Sequence, residues 1–291
     1  MPAYSFGWVP SPPDFRDLRY TTPHAVMAVL PDSVDLLTPT LPAPMEPAMN
    51  QQQLGSCGPF SASAHLIYDQ IHLLGQGTTP SQLYIYYNAR VVMGTVNQDS
   101  GVDNRSLLKS LNKSGWCDYD LWTYDGYQSK FKVRPPEACY TQGADRKIDK
   151  YLSVPQSLEQ MKGCLAEGFP FIFGFTVYDS FMSDAVARTG IVPMPSRSER
   201  VRGGHDVMIY GYDDRTQRFK FRNSWSEDWG NNGSGEIPYA YAQSPNLSSD
   251  FWTIRGSFGP TPPTPTGGGV VRVDADKKQV TMPKDWTVVQ V

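Results

Sequence analysis

Apolar residues recur at three- and four-residue intervals after position 56, which is the spacing of one face of an α-helix. Phe60, Ala64, Ile67 and Ile71 mark this face, and Ser56 stands where an N-cap residue is expected. The pattern therefore predicts an amphipathic helix that begins at about residue 57.

The pattern changes from helical spacing to short apolar runs along the chain. Helices are predicted near residues 80–92 and 104–113, and strands are predicted at 170–177, 207–212 and 218–221. The last two strands flank a polar turn at 213–216 and should form an antiparallel hairpin. We expect an α+β chain with a mainly helical half up to about residue 130 and a strand-rich half from about 150 to 258.

Residues 1–29 are rich in proline and aromatic side chains and have no long helical pattern. Phe6, Trp8, Val9, Pro10 and Tyr20 would suit an apolar cleft. We predict that this segment is a short propeptide-like lid, and the alternative is a strap that packs elsewhere on the surface.

The C-terminal part changes composition after residue 258. Residues 259–269 are rich in proline, threonine and glycine and are interpreted as a linker. In the extension at 270–291, runs at 269–274 and 286–291 are predicted to form two short strands that pack onto the main domain. The alternative is a disordered tail or an attachment segment.

Composition limits the classes of partner. The 291 residues include 40% hydrophobic and 19% charged residues, which suits a globular protein with a large core. The formal charge of −3 and the lack of a basic run argue against nucleic acid and anionic membranes as partners. No apolar stretch approaches the roughly 18 residues that span a bilayer.

A monomer is expected. The N-terminus as written does not read as a signal peptide, which favours a cytoplasmic over a secreted location.

Cys57 falls in the first turn of the predicted helix. The free N–H groups and the positive end of the helix dipole favour a thiolate there, and a thiolate is a nucleophile. Pro59 is compatible with a first turn, because the N–H that it lacks would have no helical partner. Cys57 is therefore a candidate catalytic nucleophile.

A base and an orienting group for this thiolate come from the predicted hairpin. His205 precedes the strand at 207–212, and Asn223 follows the returning strand, so the hairpin should bring them together. An asparagine carbonyl can accept one imidazole N–H and direct the other ring nitrogen at Cys57. Trp225 and Trp229 could shield this hydrogen bond from water.

These motifs resemble those of papain-family cysteine peptidases, in particular a bacterial branch that carries QLGSC at the nucleophile. The resemblance covers about residues 30–258. It implies a papain-like α+β fold with a helical lobe and an antiparallel sheet lobe facing each other across a cleft. It also implies an endopeptidase that acts on peptide or protein substrates. No metal or other cofactor is expected, and the predicted N-terminal lid would make the chain a zymogen, although residues 1–29 lack the helical prodomain usual in this family.

The resemblance implies a role for each of four residues. Gln51 would be the oxyanion-hole donor, Cys57 the nucleophile that forms a thioacyl intermediate, His205 the general base and acid, and Asn223 the residue that orients the histidine. The chain departs from the plant and animal pattern at Leu54, Gly58 and Gly204, which replace a half-cystine, a tryptophan and an aspartate.

The same resemblance suggests where substrate binds. Ser100, Gly101 and Val102 would pair with the substrate backbone, and Gly174 and Gly204 would line the pocket for the second residue before the scissile bond. Trp225 completes the expected substrate-binding set. Small residues there predict a roomy, uncharged pocket that favours a bulky apolar side chain. Local backbone needs are the alternative explanation for both glycines.

Three further cysteines, Cys117, Cys139 and Cys164, remain after Cys57 is assigned. Their odd number favours a reducing compartment, although one disulfide between Cys117 and Cys139 stays possible. Neither their spacing nor the helical pair His65 and His72 supports a metal site.

Two other classes of protein fit some of these features. A cysteine-dependent acyltransferase would use the same thiolate, imidazole and oxyanion hole but exclude water. A non-enzymatic peptide-binding module would keep the cleft alone, although mere binding does not require Gln51, Cys57, His205 and Asn223 together.

Overall fold

The structure is a computed structural model that describes residues 4–37, 41, 45 and 48–256, together with the backbone of two short strands at 272–274 and 279–281. The chain separates into two units, residues 1–258 and residues 259–291. The larger unit contains the elements that position the candidate site.

The α-helices of the described residues lie mostly in the first half of the chain. They are α1 (His24–Met27), α2 (Cys57–Leu74), α3 (Gln82–Met93), α4 (Asn104–Ser114), α5 (Tyr127–Lys130), α6 (Glu137–Ala144), α7 (Leu158–Ala166), α8 (Asp184–Thr189) and α9 (Tyr239–Gln243). Short 3-10 helices occur at Tyr119–Leu121 and Asp179–Met182. The helices predicted near residues 57, 80–92 and 104–113 are confirmed as α2, α3 and α4.

Helix α2 begins at Cys57, as predicted. Ser56 takes the N-cap position, but its side chain makes no cap hydrogen bond. Its hydroxyl instead pairs with the Tyr124 hydroxyl at 2.7 Å. The helix ends at Gly75, whose φ of 74° is the left-handed conformation that glycine adopts without steric cost.

Six strands of the second half and one strand near residue 34 form one antiparallel sheet. They are β1 (Ser33–Asp35), β2 (Lys150–Ser153), β3 (Phe171–Tyr178), β4 (Val201–Asp213), β5 (Arg218–Arg222), β6 (Ser234–Pro238) and β7 (Ser248–Arg255). The strand order is β2-β7-β3-β4-β5-β6, and β1 also pairs with β4. Helices combined with this seven-stranded antiparallel sheet confirm the predicted α+β fold.

Two hydrophobic clusters fill the larger unit. One lies mainly among α2, α3 and α4 and includes Leu66, Tyr84 and Leu107. The other lies mainly on the sheet and includes Phe173 and Phe221. Helix α2 packs against β4 between them. The start of α2 and the buried part of β4, which begins at His205, therefore meet where the two lobes join.

The smaller unit contains strands β8 (Arg272–Asp274) and β9 (Gln279–Thr281), which pair with each other antiparallel. β8 falls in the predicted strand at 269–274. The other predicted strand, at 286–291, lies outside the described residues. The described β9 was not predicted.

All four cysteines are buried free thiols, including Cys117 and Cys139. Across the described ranges, no helix has both the length and the apolar character needed to cross a membrane.

Candidate active site

Cys57 is the first residue of α2 and is fully buried. Burial and, to a smaller extent, the nearby Asp206 carboxyl raise the pKa of its thiol to about 12, against the lowering effect of the backbone N–H groups of Gly7, Asp206 and Gly58. The helix terminus was expected to favour the thiolate. In this structure desolvation is the larger effect, and Cys57 is a thiol at neutral pH.

His205 and Asn223 meet as the hairpin predicts. His205 lies in β4 opposite Phe175 of β3, and Asn223 directly follows β5. The His205 Nε2 to Asn223 Oδ1 distance is 2.8 Å. The other ring nitrogen, Nδ1, has no hydrogen-bond partner among the described residues. It is therefore available to a nearby acid or nucleophile.

Aromatic rings enclose this imidazole. Trp225 lies 4.9 Å from the His205 ring and Trp229 packs edge-on against Trp225. Phe175 and Phe181, which sequence reasoning did not single out, lie 5.6 and 6.1 Å from the same ring. This burial lowers the pKa of His205 to about 4, although the Asn223 hydrogen bond acts in the opposite direction. The imidazole is consequently neutral at pH 7.

Gln51 lies just ahead of α2 with its side-chain amide held at both ends. Its Oε1 accepts a hydrogen bond from the Ser224 hydroxyl at 2.6 Å, and its Nε2 donates to the Leu54 carbonyl at 3.0 Å. The same Nε2 also donates to the Ser5 carbonyl at 3.0 Å. The amide is thus fixed in orientation, and an N-terminal carbonyl takes one of its N–H groups.

Residues 4–11, which we call the cleft segment, run between the two lobes. The Gly7 carbonyl accepts a hydrogen bond from Val102 N at 2.7 Å, and Val9 N donates to the Val102 carbonyl at 3.2 Å. On the opposite side, Trp8 N donates to the Gly204 carbonyl at 3.0 Å. The backbone of the cleft segment therefore pairs with both walls.

Side chains of the cleft segment cover the site residues directly. Tyr4 stacks flat on Trp225 with 4.1 Å between ring centroids, and Phe6 packs edge-on against His205 at 6.3 Å. The Trp8 indole lies on Gly174 and Gly204, where even a Cβ atom would collide with it. The two glycines predicted to line a pocket thus border the space that Trp8 fills.

Asp250 bounds the same pocket and was missed by sequence reasoning. Its Oδ2 accepts hydrogen bonds from Trp8 Nε1 at 3.2 Å, Ser11 N at 3.3 Å and Asn104 N at 3.0 Å. Its Oδ1 accepts one from Trp252 Nε1 at 2.7 Å. Trp8 fills this space and a carboxyl group stands at its end, whereas the sequence predicted an uncharged pocket.

Residues 18–22, which we call the strap, hold the same N-terminal region to the body of the sheet lobe. Leu18 and Tyr20 pair with Ser153 through backbone hydrogen bonds of 2.8 and 2.9 Å. The Tyr20 hydroxyl donates to Glu167 at 2.6 Å, and its ring is 4% exposed. Between the strap and the cleft segment, residues 12–17 form a connecting loop in which Phe15 is 98% exposed.

Other residues considered from the sequence take different places. The Ser100 hydroxyl bonds to Thr95 at 2.8 Å, and no bond joins that side chain to the described cleft segment. Asp206, which directly follows His205 and is not among the predicted site residues, points to the opposite face of β4, where Ser61 and Asn104 donate to it. In the described ranges, no group of three or more histidine, cysteine, aspartate or glutamate residues is arranged to hold a metal ion.

Comparisons with known proteins agree with this geometry. Residues 30–251 match the model of the papain family cysteine protease. An uncharacterized peptidase C1-like protein of Acanthamoeba polyphaga mimivirus is 35% identical over 272 residues, which is 86% of each chain. Xylellain, a cysteine protease from Xylella fastidiosa, superposes with a TM-score of 0.79 at 35% identity over 87% of this chain and 96% of its own.

A more distant structure shares the fold alone. The procathepsin B of Trypanosoma congolense has a TM-score of 0.67 at 17% identity and covers 87% of both chains. The family match and the relatives at 35% identity, together with the fold, confirm the resemblance found in the sequence. This chain belongs to the papain family of cysteine peptidases and is a hydrolase of peptide bonds.

Proposed function

We propose that this chain is an endopeptidase zymogen in which Cys57, His205, Asn223 and Gln51 carry out peptide hydrolysis and residues 4–11 form an autoinhibitory lid. The observation that carries the proposal is a hydrogen bond of 3.0 Å in which Gln51 Nε2 donates to the Ser5 carbonyl. A donor intended for a developing oxyanion is thereby satisfied by the chain itself.

The catalytic roles follow from the chemistry of the four side chains. The Cys57 thiolate attacks the scissile carbonyl, and the Cys57 N–H and Gln51 Nε2 bind the oxyanion, each such donor contributing about 3 kcal/mol. His205 protonates the leaving amine and then activates the water that hydrolyses the thioacyl intermediate. The 2.8 Å bond to Asn223 supports this, since it fixes Nε2 and leaves Nδ1 for the thiol.

The lid would inhibit in three ways. Ser5 blocks the oxyanion donor, Trp8 fills the side-chain pocket, and Phe6 helps to exclude water from His205. The lid group next to the Cys57 sulfur is the Gly7 N–H. Because an N–H is not an electrophile, the thiol cannot attack the lid at this point. Because burial also disfavours the charged forms of Cys57 and His205, the covered site lacks the thiolate–imidazolium pair.

The N-terminal region divides into two functions in this proposal. The lid (residues 4–11) occupies the cleft, and the strap (residues 18–22) belongs to the body of the protein. The proposal thus assigns the lid interpretation of residues 1–29 to one part of the segment and the strap interpretation to another. A truncation that removes the lid should keep the strap, because Tyr20 is part of the sheet-lobe core.

The substrate side chain that enters the Trp8 pocket should resemble tryptophan in two respects. The walls at Gly174 and Gly204 leave room for a large apolar body. Asp250 accepts a hydrogen bond from the indole N–H at the far end. We therefore infer a preference for side chains that combine an apolar stem with a terminal N–H donor, such as arginine or tryptophan.

Asp250→Asn should shift this preference toward purely apolar side chains. Asp250 has a φ of 66°, a conformation that asparagine tolerates, so the backbone should be kept. In a Trp8→Ala chain, the ratio of kcat/KM for an arginine substrate to that for a phenylalanine substrate should fall about tenfold, since a charge-assisted hydrogen bond is lost. An unchanged ratio would show that Asp250 does not face the substrate.

Asn223→Ala should lower kcat/KM about tenfold, since the imidazole loses its orienting hydrogen bond. That bond raises the pKa of His205, so its loss should move the alkaline limb of the pH profile to lower pH. Asn112→Ala is a suitable control, because its amide donates to the Ile148 carbonyl away from the site. Equal pH profiles for the two variants would contradict the role of Asn223.

The proposed chemistry is tested by trapping the thioacyl intermediate. After brief mixing of a Trp8→Ala chain with a peptide ester, mass spectrometry of the intact protein should show one acyl group, located on Cys57 by digestion. An added amine should capture only a minor part of the product, because water reaches the intermediate. Capture of most product by the amine would favour the acyltransferase, and no acylation of a folded chain would favour the binding module.

A further inference from the structure

A small cavity of about 30 Å³ lies beside Asn223, which forms part of its lining. Its lining comes from helix α2, helix α3 and the residues that follow strand β5. Met45, Met49, Phe60 and Ile67 make most of this lining apolar. The cavity is therefore situated where helices α2 and α3 meet the end of strand β5.

Three polar side chains that line this cavity have an atom without a hydrogen-bond partner among the described residues. These atoms are Ser63 Oγ, Gln82 Oε1 and Asn223 Nδ2. The three residues are 2%, 1% and 4% exposed, respectively. Each comes from a different part of the fold: α2, α3 and the end of β5.

The unpartnered atoms are complementary to a single small ligand. Asn223 Nδ2 is a donor, Gln82 Oε1 is an acceptor, and the Ser63 hydroxyl can act as either. Buried polar atoms in folded proteins are nearly always hydrogen-bonded. A cavity of more than about 10–15 Å³ with two to four polar partners can hold an ordered water molecule.

We propose that this cavity binds one structural water, which accepts a hydrogen bond from Asn223 and joins it to Ser63 and Gln82. The inference rests on the proposed roles of Asn223 and His205. Arg222 also lines the cavity, but its guanidinium donates to the Asn232 carbonyl at 3.0 Å. Water is the class of ligand that the volume and the three polar atoms fit together.

The functional consequence concerns the direction in which the Asn223 amide points. Its Oδ1 accepts hydrogen bonds from His205 Nε2 at 2.8 Å and from Ser224 N at 2.9 Å. The water would hold the opposite end of the amide and resist its rotation. Ser63 and Gln82 are then positioning residues that act on His205 through the water and Asn223.

The remaining contacts of Gln82 agree with this orientation. Its Nε2 donates to Met49 Sδ at 3.0 Å. The amide oxygen, Oε1, is therefore the atom that still needs a hydrogen-bond donor. Ser63 lies on the same helix as Cys57, six residues later. The water would thus connect the helix that carries the nucleophile to the residue that orients the base.

A crystal structure of the full-length Cys57→Ala chain, at a resolution that shows ordered waters, tests the site without any need for activity. We expect one density peak within hydrogen-bonding distance of all three atoms. A dry cavity, or a collapse in which the three side chains find protein partners, would overturn the proposal. Failure of the proposed peptidase chemistry would leave this observation unaffected.

Kinetics test the positioning role. Ser63→Ala and Gln82→Met, each in a Trp8→Ala chain, should lower kcat/KM about five- to thirtyfold, mainly through kcat. The alkaline limb of the pH profile should move to lower pH, because the Asn223 bond that stabilises the imidazolium is weakened. The double variant should lose less than the product of the two single effects, since both remove partners of one water.

Ser110→Ala is the matched control, because Ser110 is an equally buried helical serine whose hydroxyl donates to the Leu107 carbonyl at 2.7 Å. It should change neither kcat nor the pH profile. Unchanged pH profiles in Ser63→Ala and Gln82→Met, or fully multiplicative losses in the double variant, would contradict a shared water.

Discussion

Cys57→Ser is expected to lower kcat/KM for a peptide amide at least about ten-thousandfold. A serine hydroxyl in this position is not ionised at neutral pH, and an imidazole arranged for a thiol does not activate it equally well. Loss of one member of a catalytic triad typically costs this much, and the oxyanion hole alone supplies the remaining rate. The measurement is the initial rate with a fluorogenic peptide amide.

Because the proposed lid covers the site, Cys57→Ser is compared within a Trp8→Ala chain. Cys164→Ala is the matched control, since Cys164 is another fully buried thiol and belongs to the sheet-lobe cluster. It should retain the rate. Substantial hydrolysis by a folded Cys57→Ser protein would exclude Cys57 as the nucleophile.

Trp8→Ala is expected to raise the Cys57-dependent rate of the full-length chain about a hundredfold. The indole is 9% exposed and fills a pocket, so its loss should cost the closed lid about 3 kcal/mol. A cost of that size increases the population of the open state by roughly two orders of magnitude. Phe15→Ala removes an aromatic ring that is 98% exposed in the connecting loop, and it should leave the rate unchanged.

The pH dependence of this effect has a definite sign. In the closed state the pKa of Cys57 is raised to about 12 and that of His205 is lowered to about 4, both by burial. Opening returns water to both groups, so the thiol ionises at lower pH. The ratio of Cys57 alkylation rates, Trp8→Ala over the unmodified chain, should therefore be largest below the pH at which the uncovered thiol ionises and decrease as the pH rises from there toward 12.

Alkylation with iodoacetamide, followed by mass spectrometry, measures this ratio independently of substrate choice. Equal alkylation rates in the two chains over the whole pH range, with both chains folded, would show that the N-terminal segment does not control the nucleophile.

Local sequence signals predicted the parts of the site that depend on neighbouring residues. Helical spacing placed Cys57 at the start of α2, and the apolar runs around 213–216 placed Asn223 beside His205. These predictions succeed because a helix and a hairpin are set by residues close in the chain. The glycines at 174 and 204 could be assigned to a pocket only through the family resemblance.

Contacts between distant residues could not be predicted in the same way. Asp250 is 242 positions from Trp8, and its role at the end of the pocket depends on how β7 lies beside β3. Ser56 takes the N-cap position, yet Tyr124, which lies 68 residues away, binds its hydroxyl. Tertiary structure decides such pairs, because several partners compete for each polar group.

If the lid inhibits as proposed, the short connecting loop between lid and strap makes inhibition depend on effective concentration. With the strap fixed on the sheet lobe, residues 12–17 hold the lid near its cleft at a local concentration on the order of millimolar. Weak contacts are then sufficient to keep the cleft filled. A single cut in this loop would turn the lid into a free peptide that dilution carries away, so activation by such a cut would be irreversible even though the cut itself breaks no contact between the lid and the cleft.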